Sequence, residues 1–97
     1  MPCEIVVWFP EAVKDVARLR AFILKKNPGA AARAASRIKE AVQILADNPE
    51  PGKPVEELLP FRELFIPFGN GSYVIRYREE TNRVVIVRVR HSKEEGY

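Results

Sequence analysis

Residues 72–97 read SYVIRYREETNRVVIVRVRHSKEEGY, and two strand-like runs in this stretch carry arginine at every second position. Successive side chains of an extended strand point to opposite faces. Alternation therefore places Arg76 and Arg78 on one face of the first strand. It does the same for Arg88 and Arg90 in the second strand. The remaining faces are apolar and are formed by Tyr73, Ile75 and Tyr77 in the first strand and by Val85, Val87 and Val89 in the second. The pattern predicts a sheet with one buried side and one basic side that suits a polyanion or an acidic partner.

The first half of the chain predicts a strand followed by two helices. A short β-branched and aromatic run at residues 4–9 predicts a strand that stops at Pro10. Apolar residues then recur at helical spacing over residues 10–26, which predicts an amphipathic helix ended by Asn27 and Pro28. A second helix follows and closes at residues 47–49. Its alanine-rich stripe predicts close packing of the two helices as a hairpin.

The second half predicts three strands in an antiparallel meander. A proline-rich connection over residues 47–60 is long for a domain of this size, and such loops are usually functional or ordered by a partner. The run 61–68 predicts a strand in which Pro67 favours an edge position or a bulge. Turn signals at residues 70–71 and 80–82 separate the last two strands. We therefore expect an α+β fold of order β-α-α-β-β-β, with the helical hairpin on one face of a small antiparallel sheet.

Composition limits the possible classes of protein. A chain of 97 residues is expected to form one domain over residues 1–97. Cys3 is the only cysteine, so no intrachain disulfide is possible and a reducing cytoplasm is the expected location. No apolar run approaches the length of a membrane span, and no membrane association is expected. Because His91 is the only histidine and Cys3 is remote from it, we expect neither a metal site nor a cofactor.

The order and spacing of these segments resemble the RelE/ParE family of small bacterial toxins from type II toxin–antitoxin modules. The resemblance extends over nearly the whole chain and is carried by NPEPGKPVEELLPFRELFIPF, SYVIRYR and VVIVRVRHSKEEGY. It implies a growth-arresting toxin of the kind associated with plasmid stabilisation. It also implies a cognate antitoxin whose acidic, disordered segment wraps the toxin in a hetero-oligomer. The residues expected to bind the antitoxin or the target are Arg62, Arg76, Arg78, Arg88 and Arg90.

Two activities occur in the family that the sequence resembles. The RelE-like branch cleaves messenger RNA on the ribosome, whereas the ParE-like branch poisons DNA gyrase and is not a hydrolase. Ribonuclease chemistry requires a base, an acid and cations that hold the phosphate. The candidates for these roles are Arg76, Arg90, His91, Lys93 and Tyr97, with Lys53 as a weaker one. His91 has an alternative role as a structural hydrogen-bonding residue at a strand end.

Two departures weigh against the nuclease branch. Val74 follows Tyr73 where that branch carries a basic side chain, and Lys53 lacks the second lysine of its loop. The patterns YVIRYR and VRHSKEEGY look more like the ParE-like branch, although Ser92-Lys93 stands where Gly-Arg is commoner. We therefore expect a gyrase inhibitor that is not an enzyme. A ribosome-dependent mRNA endoribonuclease and a non-catalytic nucleic-acid-binding module are the alternatives.

Overall fold

A computed structural model describes residues 5–49 and 51–94 of the chain. Within that part, two α-helices and five strands follow one another, and the order is the predicted one apart from one short strand. The helices are α1 (Pro10–Lys26) and α2 (Pro28–Asp47). The strands are β1 (Ile5–Trp8), β2 (Lys53–Pro54), β3 (Arg62–Phe68), β4 (Gly71–Glu80) and β5 (Arg83–His91). Neither helix in this part of the chain has the length and hydrophobicity needed to cross a membrane.

The helix boundaries confirm the sequence prediction and have a local cause. Pro10 and Pro28 occupy the first turns of α1 and α2, where a missing N–H costs no hydrogen bond. Asn27 ends α1, since its backbone N–H still donates to the Ile23 carbonyl at 2.8 Å. Its side chain also caps α2 by accepting a hydrogen bond from the Ala30 N–H at 3.1 Å. One residue therefore separates the two helices and forces them into a hairpin.

The sheet has the strand order β1-β5-β4-β3-β2 and is mixed. The last four strands in this order pair antiparallel, as predicted. The prediction of a wholly antiparallel sheet is wrong at one edge, because β1 pairs parallel to β5. A parallel pair needs a crossover connection, and the helical hairpin begins the crossover that leads from β1 back to this edge. The two-residue strand β2 was not predicted.

The helical hairpin covers one face of the sheet and forms the core with it. On β4 the side chains of Tyr73, Ile75 and Tyr77 are all buried in this core, which confirms the predicted apolar face. The helices contribute Ala12, Leu19, Ala34, Ile38, Ala41, Val42 and Leu45 to the same cluster. The opposite face of β4, with Arg76 and Arg78, is covered by no helix of the described chain.

A β-bulge interrupts the alternation of β5. Tyr77 of β4 lies opposite Ile86, whereas Arg76 lies opposite Arg88, so that Val87 has no counterpart on β4. One extra residue on one strand exchanges the faces of all residues beyond it. The regular alternation assumed for residues 85–89 therefore fails at this point.

The bulge corrects the predicted apolar face of β5. Val85, Val87 and Val89 were expected to share one face, but the core cluster takes Val84, Ile86 and Val89 from this strand. Val85 and Val87 are buried without belonging to the cluster that packs on the helices. Val85 lies opposite Arg78, on the side of the sheet away from the hairpin.

The connection between α2 and β3 is ordered by the protein's own Tyr77. The Tyr77 hydroxyl donates to the Pro49 carbonyl and accepts from the Gly52 N–H, both at 2.8 Å. A Cβ at Gly52 would collide with the Tyr77 ring and hydroxyl, so the close approach requires glycine. The loop that carries Lys53 is thereby fixed against β4.

Candidate functional site

The sheet face opposite the helices is the candidate functional site, and we call it the open face. Residues directly opposite each other on paired strands share a face. Lys53 lies opposite Glu63, and Glu63 lies opposite Arg76. In the neighbouring row, Phe65 and Arg90 flank the buried Val74. Arg88 lies opposite Arg76, and Arg78 shares its face of β4. The structure therefore brings five sequence-predicted residues to one face, namely Lys53, Arg76, Arg78, Arg88 and Arg90.

A carboxylate occupies the centre of the open face. The Arg76 guanidinium donates through Nε and Nη2 to Oε2 of Glu63, at 3.1 and 2.9 Å. The Glu63 side chain is only 16% exposed, so this ion pair is shielded from solvent. The positive charge that the sequence suggested for Arg76 is thus largely compensated within the chain.

Arg78 is held in place by two aromatic rings and a carboxylate. Its guanidinium carbon lies 5.4 Å from the ring centroids of both Phe9 and Phe61, a cation–π arrangement. Its Nε also donates to the Glu80 carboxylate at 2.7 Å. Arg78 of β4 therefore contacts the residue that follows β1 and the residue that precedes β3, and its charge too is paired.

Arg88 is paired with a buried carboxylate of α1. Its Nε donates to Oδ2 of Asp15 at 2.8 Å, and the same oxygen accepts the Val89 N–H at 2.9 Å. Arg18 donates to Oδ1 of Asp15 at 2.9 Å. Burial raises the pKa of Asp15, but the hydrogen bonds from Arg88, Val89 and Arg18 outweigh it and hold that pKa below its usual value. Arg88 is therefore a structural ion-pair partner as well as a candidate binding residue.

Asp15, Glu63 and Glu80 are the carboxylates of this region that the sequence analysis missed. Asp15 falls on the buried stripe of α1, between Ala12 and Leu19, and a carboxylate on an apolar stripe is a usable signal. Glu63 gives no such signal, because its partner Arg76 is defined only by the cross-strand register.

Three compensating carboxylates change the interpretation of the sheet. Asp15, Glu63 and Glu80 pair with Arg88, Arg76 and Arg78. The predicted basic side of the sheet is therefore partly compensated, because charges separated in the sequence are adjacent in the fold.

Arg62 lies apart from the other predicted binding residues. It stands opposite Tyr77, on the side of the sheet away from Arg76. Its Nη1 donates to the Gly52 carbonyl at 2.9 Å. Arg62 thus supports the loop that contains Lys53, while its position does not add to the open face.

His91 is also separated from the open-face arginines. It lies opposite Tyr73, on the side of the helices, with the two rings edge-on at 5.3 Å. Its Nδ1 accepts the Lys93 N–H at 3.2 Å, and its Nε2 lies 3.3 Å from the Phe68 carbonyl. The tautomer that satisfies both contacts carries its proton on Nε2. This geometry matches the structural alternative considered for His91.

The turn after β5 is tied to α1. Oε1 of Glu94 accepts the His91 N–H at 2.9 Å and is paired with Nη2 of Arg18 at 3.0 Å. Lys93 lies exposed in this turn. Tyr97, a further candidate, lies outside the described residues.

Comparison with known proteins supplies the context for this geometry. The family model "ParE toxin of type II toxin-antitoxin system, parDE" matches residues 6–96. Toxin RelE3 of Caulobacter vibrioides is 38% identical over 85 residues, covering 88% of this chain and 90% of the relative. Toxin RelE2 of the same organism is 40% identical over 87 residues, covering 90% and 93%. A solved structure of the chromosomal ParDE toxin–antitoxin system from P. aeruginosa shares the fold, with a TM-score of 0.75 at 21% identity and coverage of 92% and 96%.

Proposed function

The chain belongs to the ParE toxin family of type II toxin–antitoxin systems, and from that premise we propose that it arrests growth by inhibiting DNA gyrase. As the toxin of such a module it has a cognate antitoxin as its partner. We favour gyrase over messenger RNA as the target because Glu63 and Arg76 form an ion pair at the centre of the open face.

This ion pair disfavours cleavage of RNA. A ribonuclease needs positioned cations that receive the scissile phosphate as negative charge develops. The Glu63 carboxylate already accepts two hydrogen bonds from Arg76, and a carboxylate there repels a phosphate. Val74, fully buried beside Arg90, supplies no charge. Loss of a single such donor lowers a rate by roughly 100- to 1,000-fold, so this set of residues is a poor nuclease site.

The turn after β5 is the proposed contact with gyrase. Ser92 and Lys93 are exposed there, and Arg90 precedes them at the end of the strand. Glu94 fixes the turn to Arg18 of α1, so its side chains are presented on a rigid support. A supported turn loses little conformational entropy when it binds.

The open face is the proposed docking surface for an acidic segment of the antitoxin. Phe65 is 46% exposed there and offers an apolar anchor beside Lys53 and Arg90. A disordered segment that folds on binding must offset its ordering entropy with such anchors and with charge-assisted hydrogen bonds. We infer that the segment engages the periphery of the open face, since its centre is already neutralised by Glu63.

A second candidate function rests on the names of the relatives. The Caulobacter vibrioides proteins are called RelE toxins, the name of the branch that cleaves mRNA on the ribosome. Ribosome-dependent mRNA cleavage is therefore the alternative that the decisive experiment has to exclude.

Parallel assays on the purified chain distinguish the two targets. We expect inhibition of gyrase supercoiling and no cleavage of a defined message on programmed ribosomes. The double variant Arg90→Ala/Lys93→Ala should lose inhibition, whereas the control Lys14→Ala/Arg83→Ala, which removes the same charge elsewhere, should retain it. Cuts at defined codons that disappear in Arg76→Ala, with gyrase unaffected, would instead establish the nuclease.

A further inference from the structure

The central part of the helical hairpin, residues 16–39, holds the largest excess of positive charge in the chain. Residues 16–39 contain seven basic residues and no acidic one. The rest of the chain holds the other nine basic residues and all 13 acidic ones, which gives a formal charge of +7 for the segment against −4 for the remainder. Positive charge is therefore concentrated in this segment, although the net charge of the chain is only +3.

Five of these seven cations form what we call the hairpin surface, namely Arg20, Lys25, Lys26, Arg33 and Lys39. All five are exposed, and none forms an ion pair with a carboxylate of residues 5–49 or 51–94. The other two have partners in the chain, since Arg18 pairs with Asp15 and Glu94 and Arg37 donates to the Pro67 carbonyl. The hairpin surface thus differs from the sheet, where carboxylates compensate the arginines.

The fold concentrates this charge near the end of the hairpin. Lys25 and Lys26 lie in the last turn of α1, and Arg33 follows the start of α2 by about 8 Å of helical rise. Phe22 is 62% exposed in the same region, with the Lys26 ammonium 4.6 Å from its ring. Exposed aromatic rings among cations are found where proteins bind single strands, whereas contacts with a duplex backbone depend on the cations alone.

We propose that the hairpin surface binds the phosphate backbone of nucleic acid. An acidic protein segment folds onto a partner through several apolar anchors. At this end of the hairpin the exposed large apolar side chains are Phe22 and Leu24, and the cations around them outnumber them. A duplex, by contrast, presents about one charge per 1.7 Å of axis and requires cations rather than shaped pockets. The proposal goes beyond gyrase inhibition and does not depend on it.

Binding of these cations to phosphates would release counterions from the nucleic acid, so the affinity should depend on salt concentration. Backbone contacts without base recognition give dissociation constants of about 10⁻⁴ to 10⁻⁶ M at physiological salt. The logarithm of the affinity should fall linearly with the logarithm of salt concentration, by about 0.9 for each phosphate contacted on a DNA duplex. Removing two contacts should therefore reduce this slope by about 2.

Fluorescence anisotropy with a labelled DNA duplex of about 20 base pairs, between about 50 and 200 mM salt, tests the proposal. We expect Lys25→Gln/Lys26→Gln to bind about tenfold more weakly with the shallower slope. The control Lys14→Gln/Arg83→Gln removes the same charge outside the hairpin surface and should bind like the unmodified chain. Circular dichroism checks that both variants are folded, and Arg20→Gln/Lys39→Gln provides a second variant of the surface.

Three results would overturn the proposal. The first is the absence of binding by the unmodified chain at low salt. The second is an equal loss of affinity in Lys25→Gln/Lys26→Gln and in the control Lys14→Gln/Arg83→Gln, which would show that net charge alone matters. The third is binding of poly-glutamate that depends on Lys25 and Lys26 and that duplex DNA does not compete away, which would assign the surface to an acidic protein segment.

Discussion

The carboxylate of Asp15 lies against the edge of β5 and bonds Arg88 at 2.8 Å. Strand β1 ends at Trp8, whose partner on β5 is Ile86, so the edge of β5 beyond that point has no neighbouring strand in the described chain. Asp15 accepts the Val89 N–H at this edge and replaces the missing strand. A helix side chain thus completes the hydrogen bonding of the sheet.

Replacing Asp15 by asparagine should destabilise the fold. The substitution removes the charge that compensates Arg88 and weakens the acceptor for the Val89 N–H, at an expected cost of about 1–3 kcal/mol in the free energy of unfolding. Urea denaturation measures this cost. Asp47→Asn, the same change at the exposed end of α2, is the control and should leave stability nearly unchanged. Equal effects of the two variants would contradict the structural role of Asp15.

The same residue predicts a loss of stability in acid. Burial raises the pKa of Asp15, but its bonds to Arg88, Val89 and Arg18 lower it further, so the folded-state pKa lies below the unfolded one. The stabilisation is then fully present above about pH 4, near the unfolded value, and is lost as the pH falls through the folded pKa. Unfolding measured against pH should show a steeper acid decline for the unmodified chain than for Asp15→Asn. Parallel curves would argue against the prediction.

Two tyrosines on β4 should respond in opposite ways to removal of the hydroxyl. Tyr77→Phe leaves the buried Gly52 N–H and Pro49 carbonyl without their partner and should cost about 1–3 kcal/mol. The Tyr73 hydroxyl is buried with no hydrogen-bond partner among the described residues, so Tyr73→Phe should leave stability unchanged or raise it. Thermal unfolding of both variants makes the comparison, and a larger loss for Tyr73→Phe would refute it.

Two glycines provide a similar contrast. Gly52→Ala places a methyl group against the Tyr77 ring and should destabilise the loop by about 1–3 kcal/mol. Gly29→Ala meets only ordinary contacts within α2, where alanine is the better helix former, and should be neutral or stabilising. Melting temperatures of the two variants separate these expectations. A tolerated Gly52→Ala would show that the loop moves away from Tyr77 without cost.

The bulge in β5 predicts which valine supports the core. Val89 belongs to the cluster beneath the helices, whereas Val87 lies outside it. Val89→Ala should therefore cost about 1–3 kcal/mol, and Val87→Ala should cost less. Chemical denaturation tests the order. The reverse order would restore the regular alternation that the sequence suggested.

The sequence by itself determined the features that depend on neighbours along the chain. The limits of α1 and α2 follow from Pro10, Asn27 and Pro28 and from helical periodicity, and all are found as expected. The buried face of β4 follows from strict alternation in YVIRY, which a continuous strand preserves. These features depend on residues close to one another in the chain, so the sequence pattern alone is sufficient to predict them.

The tertiary structure alone decided the partners of the charged residues and the faces of β5. Asp15 and Arg88 are 73 residues apart, and Glu63 and Arg76 meet only through the register of β3 and β4. The bulge at Val87 likewise depends on the pairing of two strands, because an extra residue on one strand is defined only relative to the residues opposite it. Charge that looked concentrated on the late strands is compensated there for this reason. The hairpin surface, by contrast, holds five cations that form no ion pair with a carboxylate in the described part of the fold.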